Sequence, residues 1–174
     1  MHVSDYERRR PGTGSGADAP GGRGEPSSLL RLADSDAVKA DAAPEKQPRK
    51  SSLDADKFAD ALDEKAGPVS TSNCGTYVRE ALVEGGVTLP KIGSAKNFGP
   101  ELEKAGFHAQ NEARYVPQKG DIVVIQPYVG GKPDGHIAAY DGKQWVSDFK
   151  QRDFWGGQGY RTQQPPHRFY RIAP

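Results

Sequence analysis

Among the residues that could do covalent chemistry, this sequence holds a single cysteine, Cys74, and four histidines. A cysteine attacks as its thiolate, and a free thiol loses its proton only near pH 8.5, so the surroundings must favour the anion. Ser70, Thr71, Ser72 and Asn73, just ahead of it, are all good helix N-cap residues. Cys74, Val78, Ala81 and Leu82 then recur at i, i+4, i+7 and i+8, the spacing of one helical face. Cys74 is therefore expected in the first turn of a helix, where unpaired N–H groups and the helix dipole favour negative charge. Gly75 would let a substrate backbone come close. The same apolar position also suits a small core residue, so the presence of a base decides between the two.

His136 is the best-placed base. It opens the strand-like run GHIAAY directly after the loop VGGKPDG. Asp148 follows twelve residues later, and a hairpin turning at Asp141-Gly142 would make the two runs neighbours. The turn breaks the parity count, so spacing alone does not put His136 and Asp148 on one face. Asp134 and Asp153 stay open as orienting acids, and Asp148 also fits a solvent-facing strand position. A thiol, an imidazole that takes its proton and a polar group that orients the imidazole together perform acyl transfer. The Cys74 N–H and the Asn73 side chain are the candidate donors to the oxyanion. His2 lies near the N-terminus, His108 between a helix and a strand, and His167 after Pro-Pro. No two histidines have ligand spacing and no second cysteine exists, so no metal and no cofactor is expected.

These residues must be held by helices first and strands afterwards. SSLDADKFADALDEKAG reads as a helix with a serine cap, with Leu53, Phe58, Ala61 and Leu62 on one face and Gly67-Pro68 as its stop. The Cys74 helix ends at Gly85-Gly86. SAKNFGPELEKAGF gives a short helix broken at Gly99-Pro100. ARYVP, GDIVVIQPYV, GHIAAYD, KQWVSDF and HRFYRI then read as strands. Segregated helices and strands indicate an α+β fold with helices on an antiparallel sheet. Residues 51–174 form that domain. Residues 1–50 are rich in Gly, Pro, Ser and Ala and read as a disordered or weakly helical tail.

Composition narrows the function further. A net charge of +1 in 174 residues leaves no basic footprint for nucleic acid. No apolar run is long enough to span a membrane. Basic residues near the N-terminus are followed by no apolar stretch, so no secretory signal peptide is expected. One cysteine excludes an internal disulfide.

The stretches SNCGTYVREAL, KGDIVVI and DGHIAAY resemble the CHAP and NlpC-type papain-like cysteine peptidases over roughly residues 68–172. The resemblance implies Cys74 as nucleophile, His136 as base and Asp148 as the third residue. It also implies a peptide or amide bond of peptidoglycan as substrate. The chain looks like the amidase effectors that bacteria inject by type VI secretion, and equally like phage lysins. That likeness implies action in the periplasm or wall of a target bacterium, as a monomer, with a cognate immunity protein in the producing cell. A deamidase, acyltransferase or protease acting on proteins, or an inactive wall-binding or partner-binding domain, would share the same core. The tyrosine that many NlpC-type enzymes carry about ten residues before the cysteine is absent from DEKAGPVSTSN. Trp155 and Tyr160, with Phe154, are expected to shape a groove beside the site.

Overall fold

Both faces of one antiparallel sheet are covered, and the two coverings bring the chemically interesting residues to one end. The computed structural model describes residues 52–173; the tail expected over residues 1–50 lies outside them. Helix α1 is Ala55–Lys65 and α2 is Cys74–Glu84. The cap of α1 is Asp54 rather than a serine, its side chain accepting from the Lys57 N–H at 3.1 Å. A carboxylate there both satisfies a free N–H and complements the helix dipole. Phe58, Ala61 and Leu62 of α1 and Val78, Ala81 and Leu82 of α2 are buried, as their spacing indicates. Helix α2 ends at Gly85, and Gly86 takes φ +87°, a conformation that costs glycine little.

Helix α3, Phe98–Lys104, follows a 3-10 turn at Ala95–Asn97. It runs through Gly99-Pro100 instead of breaking there. Pro100 falls in the first turn, where its missing N–H has no helical partner to lose. Gly99 is needed because the Tyr170 hydroxyl occupies the place a Cβ would take.

The strands are β1 Phe107–Ala109, β2 Ile122–Ile125, β3 His136–Tyr140, β4 Trp145–Val146, β5 Lys150–Gln151 and β6 His167–Ile172, and the short helix α4, Gln158–Gln163, lies between β5 and β6. The order across the sheet is β1-β6-β2-β3-β4-β5, each pair antiparallel. Two strand expectations shift. ARYVP is not a strand: Ala113 and Arg114 belong to a 3-10 turn, and Tyr115 is drawn off to stack on Phe169 at 3.9 Å. The first strand lies earlier and contains His108. KQWVSDF is not one strand either, because the chain reverses at Ser147–Phe149, where the Ser147 N–H donates to the Phe149 carbonyl at 3.0 Å.

Alternation sorts the side chains. Ile122, Val124, Ile137, Ala139 and Val146 pack with Phe58, Val78, Leu82, Phe98 and Leu102 beneath the helices. Val123, Ile125, Ala138, Trp145 and Phe169 face the other way, against Tyr115, Phe154, Trp155 and Tyr160. Double coverage explains why IVVI in β2 reads as a continuous apolar run, buried at all four positions.

Candidate active site

Cys74 opens α2, and His136 opens β3. Helix α2 packs against β3, which brings the two residues to the same end of the fold. Both line a cavity of about 320 Å³. Its walls come from the segment before α2, from the loop 128–135 and from the segment 156–160.

The imidazole is held by an unforeseen residue. His136 Nε2 lies 2.7 Å from Gln151 Oε1. The Gln151 amide nitrogen donates to the Asp153 carbonyl at 2.9 Å and the Phe154 carbonyl at 3.4 Å. Those carbonyls only accept, so the amide oxygen must face the ring and His136 Nε2 must carry the hydrogen. In the neutral ring, Nδ1 is then the free basic nitrogen. Sheet register accounts for Gln151: Tyr140 pairs with Trp145, and Trp145 pairs with Gln151. Paired residues share a face, and Tyr140 shares its face with His136 by alternation.

Asp148, the expected third residue, is turned to another task. It is fully buried. Its carboxylate accepts from Ser70 Oγ (3.1 Å), Thr71 N–H (2.5 Å), Thr71 Oγ1 (3.0 Å), Asn73 N–H (3.3 Å) and Ser147 Oγ (3.1 Å). It anchors the segment that leads into Cys74, and its hydrogen bonds do not reach His136. Burial alone would raise the Asp148 carboxyl, but the bonds from Thr71, Asn73 and Ser147 outweigh it and hold the group below the usual range. The open alternatives are bonded to other partners, although Asp134 lines the same cavity. Asp153 pairs with Arg161 at 3.1 Å, and Asp134 accepts from Ser94 Oγ at 2.6 Å.

The remaining expected residues divide. Asn73 stands at the N-cap of α2 but makes no capping bond. Its amide nitrogen is committed to Thr71, on the carbonyl (3.2 Å) and on Oγ1 (3.3 Å). Gly75 packs closely on the core side, since a Cβ there would meet the Phe98 ring at 3.1 Å, tighter than ordinary contact. Tyr160 does line the cavity, its ring 5.7 Å from that of His136. Burial, with neighbouring Cys74 adding, pushes its phenol up to about 12, so it is a neutral hydrogen-bond donor. Trp155 does not line the cavity; it packs on the outer sheet face against Phe154 (4.5 Å) and His167 (4.7 Å).

Electrostatics set the resting protonation. Burial pushes the Cys74 thiol up and the Asp148 charge adds to this, while the N–H groups of Ile137, Gly75 and Cys74 pull it down less strongly. Burial pushes the His136 imidazole down, against the Gln151 hydrogen bond and the Asp148 charge. Both shifts favour neutral forms, so at neutral pH the pair rests as thiol and imidazole. The helix start does not by itself produce the thiolate that the sequence position suggests. The donors that lower Cys74 surround the place where negative charge would develop. Gly156, at φ +69°, lies against the ring, and any Cβ there would collide with His136 Nε2. A neutral thiol, a base whose tautomer is fixed by an amide, and backbone donors at a helix start can support attack on a carbonyl. Among the described residues no cluster of His, Cys, Asp or Glu is arranged to hold a metal ion.

No family model matches the chain, and no curated protein does. Solved structures do. The type VI native effector–immunity complex Tae3–Tai3 from Ralstonia pickettii contains a chain 42% identical, with a TM-score of 0.64, over 68% of this chain and 98% of that one. The selenomethionine form of the same complex gives 43% identity and a TM-score of 0.61, over 66% and 98%. The matching neighbour is the effector, Tae3.

Proposed function

We propose that this chain, which belongs to the family of the type VI effector Tae3, is a papain-like cysteine hydrolase that cuts a peptide bond in bacterial peptidoglycan. The observation that carries the reading is the fixed tautomer of His136. Gln151 holds Nε2–H at 2.7 Å, which leaves Nδ1 basic in the cavity that Cys74 also lines.

In this reading His136 Nδ1 takes the Cys74 proton as the sulfur attacks the carbonyl carbon. The oxyanion is met by the N–H groups around Cys74. His136 then gives its proton to the leaving amine, and a thioester joins the acyl group to Cys74 Sγ. Water, deprotonated by His136, cleaves the thioester and regenerates the thiol. Because the pair rests neutral, the proton moves during attack rather than before it. Gln151 strengthens its hold as the ring becomes charged, since a hydrogen bond from an imidazolium exceeds one from a neutral ring. Asp148 holds the 70–73 segment that presents Cys74.

Membership of this family supports delivery into a target bacterium and an immunity protein in the producing cell, since the neighbour was solved as an effector–immunity complex. Purified sacculi test the chemistry. Wild type should release soluble peptide fragments, and Cys74→Ala should release none. Undiminished release by Cys74→Ala would refute the reading.

A further inference from the structure

We propose that Lys132 and Ser72 form a carboxylate receptor at the mouth of the cleft, so that the substrate is a peptide carrying a free carboxylate close to the bond that is cut. This rests on the peptide-bond hydrolysis proposed above and names the feature of the substrate that the site selects.

Lys132 belongs to the loop between β2 and β3, just ahead of His136, and both Lys132 and Ser72 line the cavity that holds Cys74 and His136. Its ammonium crosses the cleft mouth and donates to Ser72 Oγ. Ser72 stands two residues before Cys74, a span of at most about 7 Å of chain. The positive charge is therefore tethered beside the nucleophile. Among the described residues, Lys132 has no carboxylate partner; a neutral hydroxyl takes its hydrogen bond. The acid on the same wall, Asp134, is bonded to Ser94 and forms no ion pair with Lys132. An ammonium so placed, with two of its three donors unused among the described residues, is suited to an anion from outside the chain.

Ser72 strengthens the case. It is held at φ 65°, a left-handed conformation that disfavours residues with a Cβ. Its N–H donates to Ser70 Oγ at 3.2 Å, and Ser70 Oγ donates to buried Asp148. The strained residue is thus locked from below by the same carboxylate that positions Cys74. Its Oγ accepts from Lys132, and its own hydroxyl hydrogen has no acceptor among the described residues. The two side chains offer two donors side by side, an ammonium and a hydroxyl, which match the two oxygens of a carboxylate.

A cycle of protein and substrate variants tests this. Purified muropeptides are compared with the same muropeptides whose carboxylates are converted to amides. Wild type should cut the acidic form about tenfold more efficiently in kcat/KM. Lys132→Met should lose about tenfold on the acidic form, so that the two substrates converge; Ser72→Gly, which keeps the backbone conformation, should lose a few-fold with the same convergence. Equal losses on acid and amide, or no preference in the wild type, would overturn the proposal while leaving the hydrolase reading intact. Binding of both peptide forms to Cys74→Ala separates the two cases. A Lys132-dependent preference for the acid in binding, with no turnover by the wild type, would sustain the receptor and sink the hydrolase. No such preference in binding would refute the receptor.

Discussion

Removing Gln151 should disable the base without removing it. The amide oxygen accepts from His136 Nε2 at 2.7 Å, and both residues are buried, at 4% and 7% exposure. Between neutral partners such a bond contributes about 1 kcal/mol net, whereas a bond to a charged partner contributes about 1.5–3 kcal/mol. In the proposed mechanism the ring is neutral at rest and charged during attack, so most of the effect falls on the transition state. Gln151→Ala leaves a buried N–H without an acceptor and frees the ring to adopt the other tautomer. A loss of about 2–3 kcal/mol in transition-state stabilisation corresponds to about 30- to 150-fold in kcat/KM. Fragment release from sacculi measures it, with thermal unfolding run beside it to show that the variant is folded. Gln151→Glu adds a second readout. A carboxylate beside the ring favours the imidazolium and moves the acid limb of the pH–rate profile upward. It also loses the two donations to Asp153 and Phe154, so it should be less stable than the wild type. If Gln151→Ala stays within threefold of wild type, while Asp148→Asn moves the acid limb instead, then Asp148 orients the imidazole and the tautomer argument is wrong.

Three further outcomes follow from the same geometry. Alkylation of Cys74 by iodoacetamide should be slower than that of free cysteine at pH 7 and should rise only at a higher pH than for a free thiol, because burial lifts the thiol; a fast plateau below pH 7 would mean a preformed ion pair. Asp148→Asn should cost about 3 kcal/mol of stability by chemical denaturation, from the loss of charge-assisted bonds. The wild-type advantage should be complete above about pH 3.8 and vanish as pH falls through the lower folded value; a pH-independent difference would refute the charge argument. Gly156→Ala should lower kcat/KM about a hundredfold by displacing the ring. In thermal unfolding, Gly157→Ala, whose Cβ would meet only Tyr160 at 3.9 Å, should be tolerated; equal thermal losses at both positions would refute the contact.

The placement of Cys74 at a helix start and of His136 at a strand start was legible because its signals are local. Four residues of cap-favouring type and a helical period mark where α2 begins, although no side chain caps it, and a glycine-rich loop before a β-branched run marks where β3 begins. Gln151 was not legible, and the reason lies in Ser147–Phe149. Parity can be counted along a strand or across a turn that announces itself, and Asp141-Gly142 does so: Asp141 Oδ1 accepts from the Lys143 and Gln144 N–H groups, and Gly142 takes φ +101°. The next reversal contains no glycine, proline or asparagine. Asp148 is instead drawn inward there by Ser70, Thr71 and Asn73, and Gly67 bridges to Phe149. The turn is thus stabilised by residues more than seventy positions away, so nothing in VSDFK signals it. Once the chain reverses, the acid that lies on the expected strand becomes the anchor of the segment that leads into Cys74. The imidazole passes to a glutamine whose residue type alone suggests no chemistry. The same dependence makes Asp148 testable as an anchor: its substitution should disturb how Cys74 is presented while leaving the Gln151–His136 bond in place.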